Sequence, residues 1–479
     1  MPLVYALPIF AKSPEIRQQT KAGSGFNNIR DAEIGAFRQI HRKLMKQPAW
    51  FSLLIAALIH FTSTANAQRN AAYEELPINY SETATSNRAE RVAARWQAGN
   101  LNAADNYGKP ALKAFLKAFA IPEESQVLVF SKTSLQYARI DPQNPRAIYF
   151  SDDAYFGWVP GGIYELTLND PQLGLVFYEI DPDEKRISRG RDCLNCHAGS
   201  RTRDWPGVLV RSIFPEADGN PMGQAGGFVI GHDSPFENRW GGWYVTGQHG
   251  QSHHLGNGIA EWKNGDAVMD YPANSNLTDL GKKFDTSMHV RPDSDIVALM
   301  VLEHQCEMHN RLSRALLRVR KWKHRQEEFQ KMIGEPMPDE PTGTLRTVLH
   351  GERDRIVEYL LFRDEIELPD GGIKGAGDFE KGFRKNRKPD SQNRSLKDFD
   401  LQTRLFKYRC SYMIYSEAFE LLQPMLKRAI YRKLFEVLQA DEPPAKFAHL
   451  TKSERQTIHD ILLATKPEIR EMLDQGKGE

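Results

Sequence analysis

The sequence predicts an α+β fold, a β-rich region followed by a mainly helical C-terminal region, and three observations predict it. From residue 126 to 290, short runs of aromatic and β-branched residues alternate with Asp, Asn, Pro and Gly turns, which is the signature of strands. From residue 291 to 479, apolar residues recur at helical spacing and capping residues stand at the ends of the runs. Ahead of both, residues 68–125 form a shorter helical segment.

Taken in order, Leu112, Phe115, Leu116 and Phe119 make one apolar stripe within a helical pattern from Ala93 to Ala120. Strands are expected at Val127–Phe130, Ala147–Phe150, Tyr155–Val159, Ile163–Leu168 and Gly174–Ile180, then at Val208–Phe214 and Trp240–Val245. Ser294 is placed to cap a helix from Asp295 to Ile333 that Gly334 and Pro336 stop. A second helical block covers Ser411 to Gln439 with an interruption near Pro424. Thr451 and Glu454 form a capping box for a last helix, with Ile458, Ile461 and Leu462 on one face. Residues 369–396, dense in Gly, Lys, Asp, Arg and Asn, read as a charged surface loop. A chain of this size is expected to fold as two lobes.

The N-terminus reads as an export signal. Arg42, Lys43 and Lys46 precede an apolar run from Ala49 to Phe61, and Ala65-Asn66-Ala67 supplies small residues where a signal peptidase reads. We expect cleavage after Ala67 and a start at Met45, so that residues 1–67 are an N-terminal extension plus signal peptide. The run is too short for a spanning helix of about 20 residues, and no other stretch is longer, so no stable membrane span is expected after cleavage. Residues 1–67 hold 8 of the 63 basic and 3 of the 62 acidic residues, leaving 55 against 59, a net charge of −4. That balance disfavours a nucleic-acid partner.

The most specific string is Cys193-Leu194-Asn195-Cys196-His197. A Cys-x-x-Cys-His run is the attachment site of c-type haem: two thiols add across the vinyl groups, and the imidazole takes the proximal position on iron. One covalent haem c is therefore expected, with His197 as the proximal ligand, on a loop or single helical turn inside the β-rich region. A zinc site would need two more ligands at matching spacing, whereas Cys306 and Cys410 are single and distant; a thioredoxin-like pair is the other rival. Because the haem is attached outside the cytoplasm, the motif and the export signal agree on a periplasmic location. Cys306 and Cys410, an even leftover pair, are left as either a disulfide or two buried thiols.

The sixth iron position decides between electron carriage and catalysis. The Gly-rich stretch from Gly231 to Asn257 gathers His232, His249, His253 and His254 with Arg239, Trp240, Trp243 and Tyr244. Aromatic faces suit a macrocycle edge and Arg suits a propionate, so Arg239, Trp240 and Trp243 are read as cofactor contacts. His254 and His249 are the leading distal candidates, followed by Met222 in a Gly-rich loop and by His304 and Met308, four apart on one helix face.

Four strings, DCLNCHAGS at Asp192 to Ser200, RWGGWYVTGQHG at Arg239 to Gly250, EHQCEMHN at Glu303 to Asn310 and LFKYRCSYMIYS at Leu405 to Ser416, carry a resemblance to exported bacterial cytochrome c domain proteins. The resemblance runs from about residue 125 to near the C-terminus. It implies haem binding, electron transfer and an extracytoplasmic location, with no substrate assigned to the group. The leading expectation is a periplasmic monohaem cytochrome that passes single electrons to or from a periplasmic redox protein. The alternatives are a haem-dependent oxidoreductase with an open distal site, acting on a small oxygen or nitrogen species, and a haem-based redox or gas sensor. No Gly-x-Ser-x-Gly string, phosphate loop or dinucleotide fingerprint is present.

Overall fold

The structure, a computed structural model, describes residues 71–103, 107–270 and 275–470. The expected start at Met45 and cleavage after Ala67 lie outside the described residues.

Short strands rich in aromatic and β-branched residues, buried largely on both faces, build the centre of the molecule. Strands β1 (Val127–Val129), β2 (Arg146–Ser151), β3 (Ala154–Trp158), β4 (Tyr164–Asp170), β5 (Gly174–Asp181) and β6 (Arg186–Arg189) form an antiparallel meander. A two-residue strand, Trp243–Tyr244 (called β9 below), pairs with β1 and completes a seven-stranded sheet. Successive side chains point to opposite faces, so each strand feeds two cores. On β5, Leu175 and Phe177 enter one core while Val176, Tyr178 and Ile180 enter the other.

The second of these cores is closed by two N-terminal helices, α1 (Arg88–Gln97) and α2 (Lys109–Ala118), which bring Trp96, Leu112, Phe115 and Leu116 onto the sheet. The expected single helical pattern is therefore two helices, since Gly99 and the following polar residues interrupt it and Pro110 stands in the first turn of the second helix. Each such side chain, fully buried, contributes roughly 1.5–3 kcal/mol over leaving it exposed.

The other face carries the long helix α4 (Ile296–Ile333), which follows α3, a single turn at Leu194–His197. Every residue of α4 from Ile296 to Cys306 is buried, as an all-round apolar helix start requires, and its second half turns charged as it emerges. Its N-cap is Asp295, whose carboxylate accepts from the Val297 and Ala298 amides. The expected cap, Ser294, instead ties α4 to the sheet, its hydroxyl accepting from Leu128 N and donating to Tyr244 O. Helix α5 (Gly343–Leu360), for which the sequence reading had no expectation, packs on α4. Later come α6 (Phe379–Phe383), α7 (Glu417–Glu420), α8 (Pro424–Gln439) and α9 (Lys452–Thr465). Thr451 caps α9 as expected, but Glu454 reaches Arg409 rather than closing the box.

Between β6 and α4 the chain forms short two-stranded pieces. These are β7 (Arg211–Ile213) with β8 (Gly227–Val229), and the hairpin β11 (Ala260–Lys263) with β12 (Asp266–Met269). In addition β10 (Gly247–Gln248) pairs with β13 (Lys374–Gly375). The stretch 369–396 is thus more than a surface loop: it holds β13 and α6, and Phe379 and Phe383 sit in the core. Residues 70–479 group as one unit by contact, so the expected segments 68–125, 126–290 and 291–479 are layers of it rather than two lobes.

Candidate functional site

A cavity of about 390 Å³ opens on the α4 side of the sheet, within the usual range for small-molecule sites. Its floor is sheet: Ile148, Tyr155, Thr167 and Phe177 come from β2, β3, β4 and β5. Val208 to Arg211 and Trp243 form a wall, and Leu302 and Cys306 of α4 line the back. Cys193, Cys196 and His197 all face the same cavity, so the motif the sequence singled out adjoins an apolar space.

The motif is held by its own backbone. His197 N bonds to Cys193 O at 2.9 Å, closing the single turn α3, and Gly207 N bonds to His197 O at 2.8 Å. Cys193 comes so near Gly190 that a Cβ there would lie 2.6 Å from its sulfur, so the glycine makes room for the thiol. Across the floor, a Cβ on Gly157 would meet both the Arg146 guanidinium and the Glu165 carboxylate, which form an ion pair over that strand.

The state of the His197 ring follows from one hydrogen bond. A carbonyl oxygen can only accept, so the 2.8 Å contact between Nδ1 and Gly207 O fixes the ring proton on Nδ1. Nε2 then carries a free lone pair and has no partner among the described residues. Burial lowers the pKa of His197, which keeps the ring neutral, and Phe177 packs 4.6 Å from its centre. This is how proteins prepare an imidazole to ligate a metal: one nitrogen held by a carbonyl, the other presented.

The thiols point the same way. Both are free, and burial first, then Glu165 and Glu179, push the Cys193 thiol up to about 12. A thioredoxin-like pair needs a lowered thiol pKa, and the surroundings of Cys193 do the opposite.

The other candidate residues separate sharply. Trp243 lines the cavity, its Nε1 donating to Arg211 O at 2.7 Å. Arg239 and Trp240 do not: both are spent on the buried carboxylate of Glu303, which pairs with Arg239 and accepts from Trp240 Nε1 at 3.0 Å. None of the five distal candidates lines the cavity. Met222 packs with Leu255, Ala260 and Met269 in a satellite cluster, and Met308 is a fully buried core residue.

For the histidines the reason is in the hydrogen bonds. His254 Nδ1 accepts from Gly256 N at 3.0 Å and His249 Nε2 accepts from Asn276 N at 3.2 Å. A backbone amide can only donate, so each neutral ring carries its proton on the remaining nitrogen and offers no lone pair. His304 belongs to a directed chain. Ser411 Oγ lies 2.7 Å from its Nε2, its Nδ1 lies 2.9 Å from His232 Nδ1, and His232 Nε2 donates to Arg363 O at 3.1 Å. Burial lowers both His254 and His304 to about 3, so the rings are neutral.

The cavity also holds residues the sequence reading did not single out. Tyr155 bonds to His309 Nδ1 at 2.6 Å, and burial raises both the Tyr155 hydroxyl and the Cys306 thiol, the latter to about 12. Cys306 and Cys410 are free thiols, not a disulfide. Arg201 and Arg211 line the wall; Arg201, four residues beyond His197, was the one legible hint. Among the described residues no group of three or more His, Cys, Asp or Glu side chains is arranged to hold a metal ion. Nor is any helix of the described residues long and apolar enough to cross a membrane. Compared with known proteins, no family model matches the chain, and no curated protein or solved structure matches it either.

Proposed function

We propose that this chain is an exported monohaem c-type protein whose iron takes one protein ligand. The observation that carries the reading is the unpartnered Nε2 of His197, presented beside Cys193 and Cys196 at an apolar cavity. The residues fit the group: two thiols for the thioether bonds, a neutral imidazole oriented by Gly207, and apolar walls from Ile148, Phe177, Val210 and Trp243. When bound, haem supplies one-electron chemistry and a coordination site for small ligands.

The chain's own residues favour an open sixth position over a six-coordinate electron carrier. No methionine and no second histidine lines the cavity. Its remaining donors are neutral or engaged: Tyr155 is bonded to His309, Cys306 is a protonated thiol, and Glu165 is paired with Arg146. The reading is therefore a haem-dependent oxidoreductase, or a sensor, for a small oxygen or nitrogen species, exchanging single electrons with a periplasmic redox protein. The exposure of Cys196 supports such exchange, since it sets one attachment point at the surface.

The test is optical spectroscopy of protein made in a host that attaches haem outside the cytoplasm. The expected ferric spectrum is high-spin and shifts on adding cyanide, and the ferrous spectrum shifts with CO. A low-spin spectrum indifferent to both would contradict the open position.

A further inference from the structure

Apolar side chains and neutral polar ones such as Ser131, Thr133 and Ser134 line the cavity, together with three arginines. Arg201 and Arg211 both line it, and neither guanidinium has a hydrogen-bonding or ionic partner among the described residues. The third cavity arginine, Arg146, is tied to Glu165. Arg211 sits on β7, where its carbonyl holds Trp243 and its cross-strand neighbour is Val229. Arg201 lies in the turn that follows the Cys-x-x-Cys-His run.

Arg201 is exposed and Arg211 half-buried, and two like charges on one cavity wall repel each other. The cost is visible at Arg211: burial lowers its pKa, and the charge on Arg201 lowers it further. Two guanidinium groups without a counter-charge, on a cavity wall beside the attachment motif, have the character of a binding site, and a guanidinium fork matches a carboxylate.

We propose that Arg201 and Arg211 form a carboxylate-binding site, and that its ligand is the pair of carboxylates on the haem itself. The proposal rests on the haem reading. It assigns to these two residues the role that the sequence pattern suggested for Arg239. The arginines would hold the carboxylates ionised and leave covalent attachment to the two cysteines.

The test uses the holoprotein and its R201Q, R211Q, R201Q/R211Q and R211K variants, with two readouts. The first is covalent haem per chain; if wild type carries none, the haem reading fails, independently of the arginines. The second is the reduction potential followed against pH, which reports protonation of the haem carboxylates. In R201Q/R211Q their proton affinity is expected to rise about tenfold or more, as loss of a neighbouring opposite charge implies. R211K, which keeps the charge, is expected to shift much less. Titrations superimposable on wild type would overturn the proposal. A third arm adds acetate or nitrite to the holoprotein. Binding to wild type that the double variant loses would assign the arginines to an external anion and overturn the assignment to the haem carboxylates.

Discussion

Two histidine-bearing regions of this molecule look alike in sequence and are opposite in physical state. Around His197 the structure leaves things open: a free imidazole nitrogen, two free thiols, two unpaired arginines and a cavity. Around His232, His249, His254 and His304 the space is filled and most groups are engaged, although His249 Nδ1 and His254 Nε2 are buried without a hydrogen-bond partner among the described residues. There Arg239 meets Glu303, His232 meets His304, and Phe236 and Trp240 pack on His254. A binding site keeps a lone pair beside open space, whereas in the packed cluster the ring lone pairs are taken up by neighbouring donors. Residue type alone does not separate the two; the direction of each hydrogen bond does.

The comparison breaks most sharply on axial ligation. Replacing His197 by Ala should abolish the native haem spectrum, while His249→Gln, His254→Gln or His304→Gln should leave the iron's spin state unchanged. A spin-state change in any of these three would move that residue to the cavity side of the comparison.

Next in size is the ion pair at the heart of the closed region. Arg239→Met leaves the Glu303 carboxylate buried with only Trp240, which should cost roughly 3–5 kcal/mol in denaturant unfolding. The haem spectrum of the folded variant should be unaltered.

Acid should act through the buried histidines. His254, His304 and His309 fall from an ordinary 6.5 to about 3 by burial, so the unfolded chain binds more protons than the folded one between those values. Stability from these groups is present above pH 6.5 and is lost as pH falls toward 3. Burial raises Glu303 and Glu365 to about 7 and Asp153 to about 6, which acts in the opposite sense above pH 4.5. The acids offset part of the histidine loss between about pH 4.5 and 6, while His197, His232, His249 and His289, also lowered by burial, add to it. Below about pH 4.5 the offset fades and the loss steepens. Unfolding free energies measured at pH 6, 5 and 4 check this: a larger drop from 5 to 4 than from 6 to 5 is expected, and stability that rises as pH falls would contradict it.

The smallest effect probes the cavity floor. Gly157→Ala places a Cβ against the ends of the Arg146 and Glu165 side chains. Because side-chain ends can shift, the expected loss is roughly 1 kcal/mol, with a change in the haem spectrum that core substitutions of equal cost do not produce.

Much of this fold was legible. The strands from Val127 to Ile180 stand out as short aromatic and β-branched runs between turns, and α4 was bounded to within a residue, with Asp295 rather than Ser294 as its cap and Gly334 at positive φ closing the other end. Helix α5 was missed because its apolar residues are sparse among Arg and Glu, and what buries it is contact with α4. At the site, Cys193, Cys196 and His197 were legible because the chemistry demands adjacent residues. Arg201 was hinted at only by its nearness to His197, and Arg211 and Thr167 were not legible at all, because a cavity is where side chains from distant segments fail to meet, and no local pattern encodes that. The histidine cluster misled for a related reason: Gly, His and Trp in one short run serve a tight polar core as readily as a cofactor pocket.

The central claim is that Cys193 and Cys196 carry haem covalently, and acid–organic extraction of the purified, exported protein tests it most directly. The account predicts that the haem stays with the polypeptide in wild type and that little or none does so in C193A/C196A. Haem that partitions fully into the organic phase from wild type, or is never acquired, would contradict it.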